Sequence, residues 1–240
     1  MLKDAIQCLV SLKANKTYEI NGDTYSDQEL IRIPPYIPRP QNVSVTSLDS
    51  LAKLIIREHN VFSDEFPIFV QVNGPREVSV FTSYDLDDMN RNYLYTASCD
   101  VPGFREGFRD HEAAIIELQS KFIPSEGVDY LLNLLSRVSK ESGVTTQDNG
   151  VTQTVEARSG IQLKQKVQLR PRVSLRPYRT FLEVEQPKSD FLLRMDNDGR
   201  VGLFEADGGM WKMDAKKEIS EYFEKALNGL ISDGHVVVMM

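Results

Sequence analysis

The residues in this sequence best placed to do chemistry are cations at even-numbered positions. Lys164, Lys166, Arg170, Arg172 and Arg176 alternate with Val167, Leu169, Val173 and Leu175. In an extended strand successive side chains point to opposite faces, so this spacing sends the cations to one side and the apolar groups to the other. Between Ala157 and Leu182 there is no acidic residue, and Arg158 and Arg179 bring the cations of that stretch to seven. The whole chain carries −7, and taking those seven positive charges away leaves −14 on the rest. Arginine forks bind phosphate oxygens in pairs, and Tyr178 can stack on a base. The expected ligand-binding set is therefore Lys164, Lys166, Arg170, Arg172, Arg176, Tyr178 and Arg179. Pro171, in the middle, marks an edge strand or a bulge where the face is accessible. The competing reading is a solvated strand face, paired with Glu156, Glu183 and Glu185 or guarding a sheet edge against aggregation.

Other clusters reduce to turns. Asp196-Asn197-Asp198-Gly199 has part of the spacing of a calcium loop, but Arg194 stands where the first ligand belongs, so a hairpin turn is expected. Glu205-Ala206-Asp207-Gly208-Gly209 lacks the Lys-Ser/Thr ending of a phosphate loop and reads as an Asp-Gly turn. Glu205 and Asp207 share a strand face, which leaves them as the one carboxylate pair suited to acid–base work. His111-Glu112 is not a zinc-protease motif, because Ile115 occupies the place of the second histidine. With two cysteines and three histidines, a disulfide scaffold and a multi-cysteine zinc site are excluded. No catalytic residue, metal ligand or cofactor site is expected, and the chain reads as a binding protein and not an enzyme.

The elements that must position the basic strip follow from periodicity. Residues 1–14 read as a helix, and Asn21-Gly22 turns a hairpin over 17–25. IPPYIPRPQ at 33–41 is a proline-rich linker. Thr46 and Ser47 offer caps for a helix with Leu48, Leu51, Ala52, Leu54 and Ile55 on one stripe. Strands are expected at 66–72, 77–82 and 92–99, and helices at 108–122 and 126–141. A polar break at 142–150 precedes strands at 151–157, 161–169, 172–176, 180–186, 190–195, 201–206 and 209–213, a helix at 215–231 and the apolar strand HVVVMM. The expected fold is α+β, a helix-and-hairpin N-terminal half packed on an antiparallel β-rich C-terminal half with a C-terminal helix and strand. Its divisions are an arm over 1–40, an α+β half over 41–145 and a β-rich half over 146–240, the last two separated at 141–150 or continuous. The bare C-terminal strand leads to the expectation of a homo-oligomer.

No apolar run reaches the roughly 18–20 residues that span a bilayer, so no membrane partner is expected. The segments DNGVTQTVEARSGI, RPYRTFLEVEQPKSDFLLRM and LFEADGGMWKM resemble the YfdQ-like family of bacteriophage and prophage proteins, over about residues 43–230. That resemblance implies a phage protein in a bacterial host cytoplasm and supplies no active residues. The function expected from both lines is sequestration of a small phosphorylated ligand, a nucleotide-type signal, or of a host protein, to blunt host defence. An acidic body makes long nucleic acid the less favoured partner. The alternatives are single-stranded DNA binding in phage recombination and protein–protein inhibition.

Overall fold

The local signals become elements in a computed structural model that describes residues 2–12, 17–21, 23–26, 40–62, 66–84, 90–137, 143–148, 152–159 and 162–240. The chain divides into two compact units, Met1–Arg39 and Pro40–Met240. The first holds α1 (Leu2–Leu12) and the antiparallel hairpin of β1 (Thr17–Ile20) and β2 (Asp23–Ser26), with Asn21 in the left-handed region at φ 55°.

In the second unit the chain runs through β3 (Val43–Val45), α2 (Leu48–Phe62), β4 (Ile68–Gly74), β5 (Glu77–Phe81), β6 (Tyr93–Ser98), β7 (Gly107–Arg109), α3 (His111–Lys121) and α4 (Glu126–Arg137). It continues through β8 (Gly143–Asp148), β9 (Gln153–Ser159), β10 (Gln162–Gln168), β11 (Arg172–Leu175), β12 (Ser189–Met195) and β13 (Val201–Glu205). It ends in α5 (Trp211–Ala226), α6 (Asn228–Ser232) and β14 (Val236–Met239). The fold is α+β, with a helix and a strand at its C-terminal end.

Two cores organise this unit. A five-stranded mixed sheet in the order β14-β4-β5-β6-β3 builds the first. Ser47 caps α2 by accepting the Ser50 amide at 3.2 Å. Leu48, Leu51 and Ile55 of that helix are fully buried beside Ile68, Val70 and Val80. Each such side chain contributes about 1.5–3 kcal/mol on leaving water. Ile219 and Phe223 of α5 enter the same core, so the C-terminal helix covers the sheet of the N-terminal half. The second core lies on the antiparallel sheet β11-β12-β13-β7, where Leu175, Phe191 and Leu193 meet Leu118 of α3 and Leu131 and Leu135 of α4. A three-stranded sheet in the order β10-β9-β8 is added by way of Val155.

Three expectations are corrected. Residues 143–148, within the expected break, form β8, paired with β9 from Gly143 opposite Arg158 to Asp148 opposite Gln153. Residues 180–186 are not a strand: the buried Gln186 side chain accepts the Arg179 and Thr180 amides at 2.9 and 3.1 Å and donates to the Phe181 carbonyl at 2.9 Å. One amide side chain thus takes the place of a neighbouring strand. Residues 209–213 enter α5 instead of forming a strand, because the Asp207 carboxylate holds the Gly209 amide at 2.9 Å while Gly208 and Gly209 adopt φ 65° and 80°. The C-terminal HVVVMM segment pairs parallel with β4 from Val236 opposite Ile68 to Met239 opposite Gln71, so the chain itself covers one edge of the strand from which self-association was expected.

Candidate functional site

The site grows outward from Leu169. This side chain is buried, and its amide donates to the Gln153 carbonyl at 2.9 Å. Gln153 is itself buried and locked to Met195 by two hydrogen bonds, of 2.6 and 2.8 Å. The chain is therefore fixed immediately before Arg170. The Arg170 amide donates to the Tyr130 hydroxyl at 3.0 Å, its guanidinium lies 4.7 Å from the centre of the Tyr130 ring, and its Nη1 stands 3.8 Å from Glu126. An aromatic face under a guanidinium orients it without neutralising it.

Next, β11 presents its side chains alternately. Arg172 is exposed, Val173 buried, Ser174 half-buried and Leu175 buried. The alternation read from the sequence therefore holds on β11, but not as one continuous strand. Pro171 does not bulge a strand. It lies between β10, in the three-stranded sheet, and β11, in the four-stranded one. The Pro171 carbonyl accepts the Leu193 amide at 3.1 Å. Within β10 the ladder to β9 shifts register between Leu163 and Gln165. The side chains of Lys164 and Lys166 lie outside those described.

The opposite wall is the start of α4. Gly127 permits the approach, because a Cβ there would stand 2.5 Å from the Ser174 carbonyl oxygen. Ser125 accepts the Val128 amide at 3.4 Å and caps the helix. The result is an open groove of about 470 Å³ whose charged lining is Arg170, Arg172, Arg176, Lys188 and Glu126. Arg176 is partly neutralised by an ion pair with Glu185. Arg172 and Lys188 have no such ion pair among the described residues. Four cations against one lining carboxylate, beside the positive end of a helix, make a place for an anion.

Arg179 and Tyr178 do not join them. Tyr178 is half-buried against the first core. Arg179 is buried and bonds Glu205 of β13 at 2.9 Å, the Pro187 carbonyl at 3.3 Å and the hydroxyl of Ser189 at the start of β12, with its guanidinium 4.0 Å from the centre of the Trp211 ring. Burial pulls its guanidinium down to about 10, against the opposing charges of Glu205 and Asp207. The other Glu205 oxygen accepts the Trp211 indole N–H at 3.1 Å. The carboxylate pair suited by type to acid–base work is thereby engaged in holding β13, α5 and the residues 176–188 together. Asp196 to Gly199 form the expected hairpin turn, with the Gly199 amide donating to the Asp196 carbonyl at 3.1 Å and Gly199 at φ 74°. His111 starts α3 and bonds the Leu135 carbonyl at 2.6 Å, tying α3 to α4.

The strip pattern missed Lys188. It is separated from the other cations by a stretch containing Glu183 and Glu185, so no spacing rule reaches it. Among the described residues no group of histidine, cysteine or carboxylate side chains is arranged to hold a metal, and no helix is long and apolar enough to cross a membrane. No family model matches the chain, and no curated protein or solved structure was found similar to it.

Proposed function

We propose that the protein is a non-enzymatic binding protein that holds the phosphate groups of a nucleotide-type ligand in the groove between β11 and α4. In this reading it serves a bacteriophage by sequestering that ligand from the host. The supporting observation is the convergence of Arg170, Arg172, Arg176 and Lys188 on one groove with a single lining carboxylate. Arg170 is held in place by Tyr130, so part of the ordering cost of binding is met before the ligand arrives.

Calorimetry with cyclic nucleotides tests the proposal. Wild-type protein is expected to bind, and Arg170→Glu and Arg172→Glu are each expected to weaken binding at least about tenfold, the loss of one charge-assisted hydrogen bond. A wild-type protein that binds no phosphorylated ligand would remove the anion site and leave protein–protein inhibition.

A further inference from the structure

A second basic cleft, of about 550 Å³, carries Arg76, Arg105, Arg109 and Lys121 with Glu117 as its one carboxylate. None of these cations belongs to the strip visible in the sequence. Several are fixed by the fold. Arg76 donates through Nη2 to the Cys99 and Val101 carbonyls at 3.0 and 2.6 Å. Arg109 bonds Glu117 at 3.2 Å and the Arg105 carbonyl at 3.0 Å, and Lys121 bonds Glu117 at 2.9 Å. Glu117 therefore sets the positions of two cations and neutralises one charge in total.

The two clefts meet at the connection between α3 and α4. Phe122 and Pro177 form an antiparallel bridge, closed by Ile123 N–H to Arg176 carbonyl at 2.9 Å and Tyr178 N–H to Lys121 carbonyl at 2.8 Å. Phe122 and Pro177 are buried. Lys121, the last residue of α3, stands on one side of this bridge, and Ile123 and Arg176, which line the first groove, stand on the other. Lys121 lines the second cleft and Arg176 the first. The cations thus run on from one cleft to the other.

We infer that the two clefts bind one linear ligand, a short single-stranded oligonucleotide whose successive phosphates lie along both. This rests on the reading of the first groove as a phosphate site and extends it from a single nucleotide to a strand. Eight cations and two carboxylates line the pair, on a chain whose total charge is −7. A concave track suits a flexible single strand more than a duplex rod. The track is bounded on another side. Glu183, Glu185, Glu218 and Glu221 line a separate cleft of about 500 Å³. Glu185 of that acidic wall pairs with Arg176, so it flanks the track at the junction of the two clefts, and the ligand is short because it need span these two clefts alone.

Fluorescence anisotropy with labelled oligothymidylates of about two and about eight nucleotides tests this, the longer length falling within the usual footprint of a single-strand site. The octamer is expected to bind at least tenfold more tightly than the dimer. Arg105→Glu, an exposed position, is expected to weaken octamer binding about tenfold and to reduce the slope of log K against log salt by about 0.7 for each phosphate it no longer neutralises. It should leave dimer binding unchanged. Lys121→Gln should act in the same direction. Equal affinity for the two lengths, or an octamer indifferent to Arg105→Glu and Lys121→Gln, overturns the second cleft while leaving the first groove standing. A duplex octamer bound as tightly as the single strand overturns the single-strand assignment. Absence of binding by every phosphorylated probe overturns both readings.

Discussion

Arg179 shows how far a residue's neighbours can change its role. Its type and position place it in a basic strip, yet its side chain is 4% exposed and paired with Glu205, which is 24% exposed. Breaking a buried pair by removing one charge leaves the other uncompensated. Glu205→Gln is therefore expected to destabilise the fold by about 3 kcal/mol, the lower end of the usual range because Glu205 reaches solvent. Urea denaturation at neutral pH checks this, and an unchanged midpoint would show that the pair contributes nothing. Asp207 gives a pH-dependent counterpart. Burial works against its charge, but the Ser189 hydroxyl, the Gly209 and Trp211 amides and Arg179 outweigh it and hold the carboxyl below its ordinary value. A depressed folded value contributes stability that is fully present above the unfolded value of about 3.9 and is lost as pH falls through the folded one. Asp207→Asn is accordingly expected to cost about 1.5–3 kcal/mol at pH 7. The difference from wild type should shrink on acidification below the unfolded value, read by denaturation at the two pH values.

Among the elements, α4 and β11 form the groove because they approach more closely than a side chain allows. A Cβ at Gly127 would meet the Ser174 carbonyl at 2.5 Å, the Leu175 Cδ2 at 3.0 Å and the Val173 Cγ1 at 3.1 Å. The first of these atoms belongs to the backbone, so the helix has to move. Gly127→Ala is expected to cost about 1–3 kcal/mol by overpacking, even though alanine is the better helix former. Thermal unfolding checks it, and a variant as stable as wild type would show that the helix start shifts freely. The same displacement opens the groove, so ligand affinity should fall in parallel with stability.

For the second unit as a whole, the chain folds back on itself. β14 closes one edge of a sheet begun by β3 and β4, and Val236 is buried beside Ile68 in the first core. β7, from the first half of the sequence, pairs with β13 from the second. Removal of residues 235–240 should therefore lower stability by several kcal/mol, since it takes away the buried Val236 and exposes the edge of β4, where Val70 sits in the core. Circular dichroism with temperature reads the loss. A truncated chain that melts where the full chain does would show β14 to be an accessory strand.

Local signals in the sequence were enough to locate most of the elements. Leu48, Leu51, Ala52 and Ile55 recur at helical spacing and lie buried on α2, and Ser47 caps it as its type suggests. Arg172, Val173 and Leu175 alternate on β11 as their spacing requires. These features depend on neighbours within a few residues, which periodicity records. The site was only partly legible for the same reason. Arg170, Arg172 and Arg176 share a groove with Lys188 because β11 and β12 pair antiparallel, with Leu175 opposite Ser189. The cleft holding Lys121 adjoins the groove holding Arg176 through a bridge between Phe122 and Pro177, 55 residues apart in the chain. Gln186 replaces a strand through its side chain, which no alternation of apolar residues reveals. Arg179 was withdrawn from the basic face by the chance to pair with Glu205 and to cover Trp211. Sequence spacing determined which face each cation takes on its own element. The tertiary pairing of distant elements decided which cations meet, because charge and burial depend on distance in space and not along the chain.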